Sequence, residues 1–376
     1  MSMRELYKMA EEAMPSILIV FLPEVAEIVN LRPLEKLSAL FKIPDVFWSS
    51  VAHDSSGYFG CQDTRDHVGE LQSFNSHFRF LIKEPVTPKP FAPEHSNAAY
   101  KWHKFGYFTS WTPLKKLVVL CFGLPECLQK SITGLEHFSV EDPFWFHTTT
   151  IQSVITLYDK NLWAWRDLVR ALELNRASAD DPRPDYIKIH ELARHTIHCT
   201  ETLGMAIETM TSLTGEHQIF FDENESLPKE IITKSKQTRR SLRSQMVLLK
   251  SLHLRSKALE ERLRNETTLA FNIVAQHDSR VAVGINEAAK TDSAAMKTIS
   301  ILGLIFLPGT FICAIFSTSF FNFSPASDGK PQKWTVSDKF WIYWVVSIPV
   351  TFLTVLFWIL WQRLYERLPF SHRRRV

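Results

Sequence analysis

The stretch TISILGLIFLPGTFICAIFSTSFFNF, Thr298–Phe323, runs without a single charged residue. A helix of about 20 apolar residues is long enough to cross a hydrocarbon core of about 30 Å, and Thr298 to Phe316 meets that length. The run is interrupted by Pro308-Gly309 and closes on three hydroxyls, Ser317-Thr318-Ser319. A second uncharged run, Phe340 to Trp361, follows a short polar interval. One such segment is compatible with a buried core helix, whereas two in succession point to a pair of membrane spans. The second run carries Trp341, Tyr343 and Trp344 near its start and Trp358, Trp361 and Tyr365 near its end, as interfacial aromatic belts do. Pro349 is a candidate kink.

Outward from these spans, charge predicts orientation. Arg363, Arg367 and Arg373 to Arg375 follow the second span, and Lys290 and Lys297 precede the first. The intervening loop sets three lysines against two aspartates. The positive-inside bias places both termini in the cytosol and the loop outside, with the plasma membrane as the favoured host. The expected organisation is an α/β cytosolic domain over 1–147, a helical part over 148–237, a stalk helix over 238–297 and a pore-lining first span over 298–320. An external loop (321–339), the second span (340–361) and a basic cytosolic tail (362–376) complete it.

Within the cytosolic part, the runs FRFLI, GYFTSW and LKKLVVLCF predict strands, with helices expected around Arg32 to Phe41 and Asp63 to Phe74. From Thr148 the apolar residues recur at three- and four-residue steps. Two antiparallel helices joined by the breaker ADDPRPD are expected, the second ended by Gly215. A third helix begins between Ser226 and Thr238 and meets no proline until Pro308; Lys229 to Arg264 within it holds eleven Lys/Arg against three Glu. That density of positive charge suits either a solvated face or a collar beside a membrane or acidic neighbour. The whole chain has a formal net charge of only +3, so its charge gives no reason to expect a nucleic-acid partner. Five widely spaced cysteines suggest reduced thiols, and MSMRELYKMAEEAMPSILIVFLPEV lacks the features of a signal peptide.

Along the third helix, alternating steps of three and four residues select Ala275, Ser279, Ala282, Asn286, Ala289, Ser293, Met296, Ser300, Gly303, Leu307, Thr310, Ala314 and Ser317. Almost all are small or polar, while the flanking faces carry Ile299, Ile301, Leu302, Leu304, Ile305, Phe306, Phe311, Ile312, Ile315 and Phe316. Two explanations compete. Small residues along a seam allow close helix packing. Alternatively, several copies surround an axis, the hydroxyls of Ser300, Thr310 and Ser317 face a water-filled path, and Met296 and Leu307 form hydrophobic constrictions. One two-span chain cannot enclose a pore, so the second explanation requires a homo-oligomer.

A cytosolic α/β domain, a long helix entering the first span, FLPGTF inside that span, and an aromatic second span with a basic tail together resemble the CorA family of magnesium transporters. NETTLAFNIVAQHDSR and DSAAMKTISILGLIFLPGTFICAIFSTSFF resemble most closely the divergent CorA-like proteins of filamentous fungi. The resemblance covers roughly Thr148 to Arg367. It implies a funnel-shaped homopentamer, the first span lining the pore and the second forming an outer ring. Thr310 matches the family's pore threonine, Pro308 its intramembrane proline, and Met296 and Ile299 its cytosolic gate positions. The family's Gly-Met-Asn signature falls on Ser317, Thr318 and Ser319, none of which matches it, while Phe320 matches the aromatic that follows.

The expected activity is passage of Mg²⁺ or another divalent cation through a membrane-embedded homopentamer. The cation is cargo and possible regulator, and no cofactor is expected. Asp278 and Asp292 are candidates to meet cations in the funnel, against the alternative of ordinary surface carboxylates. The histidines of HELARHTIHCTE are not spaced for zinc: His190 and His195 lie about 140° apart around a helix. No phosphate loop, nucleophile elbow or paired catalytic carboxylates appear, so the chain is not expected to be an enzyme. The main rival is a membrane-anchored scaffold or sensor that retains the fold without transport. A tethered hydrolase is a weaker one.

Overall fold

The computed structural model describes residues 15–29, 34–86, 99–176, 178, 182–224, 227–324 and 331–366, with the backbone alone at 316–320 and 365–366. In order, the elements are β1 (Ile17–Leu22), α1 (Val25–Val29), α2 (Leu34–Phe41), α3 (Asp45–Trp48), α4 (Ser50–Asp54), β2 (Gly57–Arg65), β3 (Leu71–Pro85), β4 (Tyr100–Thr112) and β5 (Lys116–Phe122). They continue with α5 (Glu126–Thr133), α6 (Trp145–Leu174), α7 (Tyr186–Glu223), α8 (Lys229–Phe320), β6 (Phe321–Ser324), β7 (Lys333–Val336) and α9 (Trp341–Glu366). The chain divides into two compact units, Met1–Ala275 and Gln276–Val376, and the 92-residue α8 contributes to both.

The first unit is an α/β domain. Its five-stranded sheet has the order β1-β5-β4-β3-β2, with β1 parallel to β5 and the remaining pairs antiparallel. Both faces are covered. Phe78, Phe80, Tyr107, Trp111, Val119 and Cys121 pack with α6, α7 and α8, while Phe108, Val118, Leu120 and Phe122 pack with α1 to α3. Alternate residues of a strand point to opposite faces, so a strand buried on both sides must be apolar at every position. That is why KLVVLCF reads as an unbroken apolar run; every β5 residue after Lys116 is buried.

Helices are fastened to the sheet by side chains bonding strand carbonyls. Trp165 Nε1 donates to the Lys83 carbonyl at 3.0 Å and Tyr158 Oη to the Leu81 carbonyl at 3.0 Å. The amide of Gln245 donates to the Thr148 carbonyl at 2.7 Å, tying α8 to α6, and Thr238 donates to the buried Asp142 carboxylate.

Three local expectations are corrected. Asp63 to Phe74 is a hairpin rather than a helix: Asp66 Oδ1 accepts from the backbone N–H of Val68 at 2.9 Å and Glu70 at 2.8 Å. Gly69 supplies the φ of +85° the turn requires. Gly215 does not end α7, because His217 and Phe220 beyond it are buried against Phe144. Such burial outweighs the cost of about 1 kcal/mol for glycine inside a helix. The interval expected as a loop between the spans contains the β6–β7 pair, with Phe323 against Trp334 at 5.0 Å. All five cysteines are free thiols.

Four buried histidines give the first unit a pH dependence. Burial lowers His77, His195 and His217 to about 4 and His147 to about 3. The unfolded chain protonates them near their ordinary value of about 6.5, while the folded unit holds them neutral until nearer 4. Their neutrality therefore contributes stability that is complete above pH 6.5 and is lost as pH falls from 6.5 toward 4. Each histidine costs about 1.4 kcal/mol per pH unit in that window. Thermal melts should show a falling midpoint below pH 6.5, steeper than in the His147→Gln variant; a flat midpoint from pH 7 to 5 contradicts this.

Candidate functional site

The second unit contains the stripe singled out by sequence from Ser279 onward. α8 and α9 each hold an 18-residue window long and apolar enough to cross a membrane, with mean hydropathy 2.2 and 2.0. Only 6% of each window is buried, so neither is a core helix sequestered within the chain. Pro308 sits inside α8 and Pro349 inside α9. Pro308 brings no N–H to the Leu304 carbonyl, a break that a neighbouring helix can accommodate within a membrane.

α9 packs on that part of α8. Ile312 and Ser347 are buried, and Tyr343 Oη donates to the Gly309 carbonyl at 3.4 Å. A Cβ added at Gly309 would lie 3.5 Å from Ser347 Oγ and 3.7 Å from Tyr343 Oη. Both are ordinary contact distances, so the seam at Gly309 has room for a methyl group and suits a small residue. An apolar groove of about 610 Å³ runs beside the seam, lined by Ile305, Cys313 and Thr351 among others.

At 100° per residue, Ile312 lies half a turn and Gly309 about a third of a turn from Gly303, so the α9 contact is turned away from Gly303. Met296, Ile299 and Leu307 are 69%, 70% and 71% exposed, and nothing lies within 4 Å of a Cβ built on Gly303. Ser300, Thr310 and Ala314 are exposed as well. Leu302, Phe306 and Phe311 are also exposed, so α9 covers one face only. Small and polar composition is what sets the stripe apart. Thr310 also borders the groove with α9.

The stripe hydroxyls have a defined polarity. Ser300 Oγ donates to the Met296 carbonyl at 2.8 Å, and Thr310 Oγ1 donates to the Leu307 carbonyl at 3.0 Å. With each proton committed to the helix, both oxygens present lone pairs outward and act as acceptors. Acceptors suit a cation or the water protons of its hydration shell. The side chains of Ser317, Thr318 and Ser319 lie outside the described residues.

Asp278 and Asp292 fall within about 20° of Gly303 on a straight helix, hence on the same face. Both are exposed, and Asp278 lies 3.6 Å from His277 Nδ1. Among the described residues no three His, Cys, Asp or Glu side chains gather as a metal site. His195 stacks on Trp165 with ring centroids 4.7 Å apart, and His198 Nδ1 is 2.9 Å from Lys83 Nζ, so these histidines serve packing.

Lys83 itself escaped sequence reasoning. It is buried, its Nζ lies 4.0 Å from the Tyr100 ring centroid and 4.7 Å from that of Trp102, and burial lowers its pKa to about 8. The cage is assembled from β3, β4 and α7, and no local pattern announces it.

No protein-family model matches the chain. It is 33% identical over 226 residues to the Notoamide biosynthesis cluster protein M' of Aspergillus versicolor, covering 56% of this chain and 48% of that protein. The chain therefore spans about half the length of the curated relative it matches. Among solved structures it is similar to the full-length CmaX protein, with a TM-score of 0.35 and 12% identity over 92% of this chain and 88% of that one. It is also similar to the ZntB cytoplasmic domain from Vibrio parahaemolyticus, with a TM-score of 0.34 and 7% identity over 64% of this chain and 85% of that one. Likenesses of that degree carry no weight for mechanism; the chemistry of the α8 stripe rests on the chain's own residues.

Proposed function

We propose that the chain is the subunit of a CorA-like membrane channel that passes Mg²⁺ or another divalent cation as a homopentamer. The observation that supports it is the α8 stripe: small and polar side chains, exposed in the chain, with the Ser300 and Thr310 oxygens left as acceptors. Copies arranged around that face would give a narrow polar path from Ser300 to Ser317, constricted at Met296, Ile299 and Leu307. Asp278 and Asp292 from each copy would add carboxylates on its cytosolic side.

Mg²⁺ sheds water reluctantly, so such a path would carry it largely hydrated, with serine and threonine oxygens accepting from shell waters. Cytosolic ions bridging carboxylates between copies would favour a closed state, and their loss would release it. Ser317-Thr318-Ser319 in place of Gly-Met-Asn favours the second reading, a membrane-anchored scaffold or sensor without transport.

Flux separates the two. The full chain in liposomes containing a Mg²⁺ dye should admit Mg²⁺ faster than empty liposomes when a gradient is applied. Insertion at the mass of a pentamer, with influx no faster than in empty liposomes, supports the scaffold and ends the transport proposal.

A further inference from the structure

Between α7 and α8 of the first unit runs a groove of about 610 Å³. Five cations line it, Lys236, Arg239, Arg240, Arg243 and Lys250. They share one side of α8 because their separations of three, one, three and seven residues return to the same helical face. From Ile231 to Leu259 the helix contains no Asp or Glu, so no carboxylate on α8 offsets them within this stretch. Across the groove, α7 contributes the neutral side chains Thr214 and Gln218. Of the carboxylates on this part of α7, Glu216 lies against the Cys61 thiol and Glu223 is 3.7 Å from Arg65, while Glu208 and Asp222 flank the groove without lining it.

Nearby cations on α8 are paired where carboxylates exist. Lys234 reaches Glu141 at 3.0 Å and Arg262 reaches Glu173 at 2.6 Å. Among the described residues the five groove cations have no such ion pair; Arg239 donates to the Gln218 side-chain oxygen at 2.9 Å. Like charges at i,i+3 and i,i+4, as at Lys236/Arg240, Arg239/Arg243 and Arg240/Arg243, repel one another. The fold carries that repulsion on a concave surface large enough for a ligand of nucleotide size.

We infer that this groove binds an anion bearing two or more linked phosphates, such as a nucleoside triphosphate, inorganic polyphosphate or a polyphosphorylated lipid headgroup. Three guanidinium groups offer planar forks that fit phosphate oxygens in pairs, and the two lysines add compact charge. Met246 and the exposed Val247 add an apolar border that a base or ring can contact. The site is independent of the α8 stripe in the second unit and stands whether or not the chain transports ions.

The test uses the full chain in phosphatidylcholine nanodiscs at physiological salt, titrated with ATP and with tripolyphosphate. Saturable binding is expected, and Arg239→Gln with Arg243→Gln should weaken it by about tenfold or more. The doubly neutralised control Lys116→Gln with Lys160→Gln removes the same charge at exposed positions outside the groove and should change it by less than about twofold. Equal melting midpoints exclude a folding defect as the cause. If nanodiscs containing phosphatidylinositol bisphosphate compete with tripolyphosphate, and the Arg239/Arg243 variant abolishes that competition, the phosphates come from a headgroup; absence of competition assigns a soluble source. No saturable binding in any arm, or equal weakening by the control pair, overturns the proposal.

Discussion

Replacing Thr310 with leucine should lower Mg²⁺ influx into liposomes by about tenfold or more, with Thr310→Ser retaining it. Thr310 Oγ1 spends its proton on the Leu307 carbonyl and is left as an acceptor, which the proposed homo-oligomer would repeat in each copy. A hydrogen bond to a charged group contributes about 1.5–3 kcal/mol, so its loss at the barrier is worth one to two orders of magnitude in rate. Leucine would also lengthen the apolar constriction proposed at Leu307. It is a good helix former, and α8 should remain intact. An unchanged rate for Thr310→Leu would remove Thr310 from the conduction path.

The largest expected effect on stability is at Trp165. The side chain is fully buried, stacks on His195 and donates to the Lys83 carbonyl. Trp165→Ala should destabilise the first unit by about 3–5 kcal/mol through cavity formation, with a further contribution from the orphaned carbonyl. That corresponds to a fall in melting midpoint of about 10 °C for a unit of this size. Trp165→Phe keeps most of the ring volume and loses the hydrogen bond, so its midpoint should lie between the two. A drop of under about 1 kcal/mol for the alanine variant would mean that α6 is not fastened to β3 through this residue.

Helices α8 and α9 were legible because bilayer length and the absence of charge are properties of a continuous stretch. β5 was legible for a related reason, since burial on both faces leaves no polar position. The Asp66–Gly69 turn was missed because the run from Asp63 to Phe74 contains helix-compatible spacings, and what decides it is an aspartate bonding two backbone N–H groups ahead. Gly215 misled for the opposite reason: its local cost is real, but residues beyond it are held by Phe144, which belongs to another element.

The candidate site divides in the same way. Composition along α8 picks out the stripe, yet it takes α9, seated through Gly309, Ile312 and Ser347, to establish which face of the helix remains uncovered. The basic run was visible as charge. Its concavity depends on Thr214 and Gln218 of α7, more than twenty residues away in sequence from most of the cations.

The central claim is that the α8 stripe faces water rather than another helix. It is tested most directly by the reaction of a membrane-impermeant, positively charged thiol reagent with Gly303→Cys in a Cys313→Ser background, in reconstituted membranes with reagent on both sides. Cys61 and Cys127 are also replaced by serine, since Cys127 is exposed and Cys61 half-buried. A water-filled path then gives rapid modification at position 303, slowed by high Mg²⁺, with Ile301→Cys, about 160° away around the helix, far less reactive. A thiol at position 303 that stays unmodified while detergent-denatured protein reacts fully would show a dry helix seam and contradict the channel.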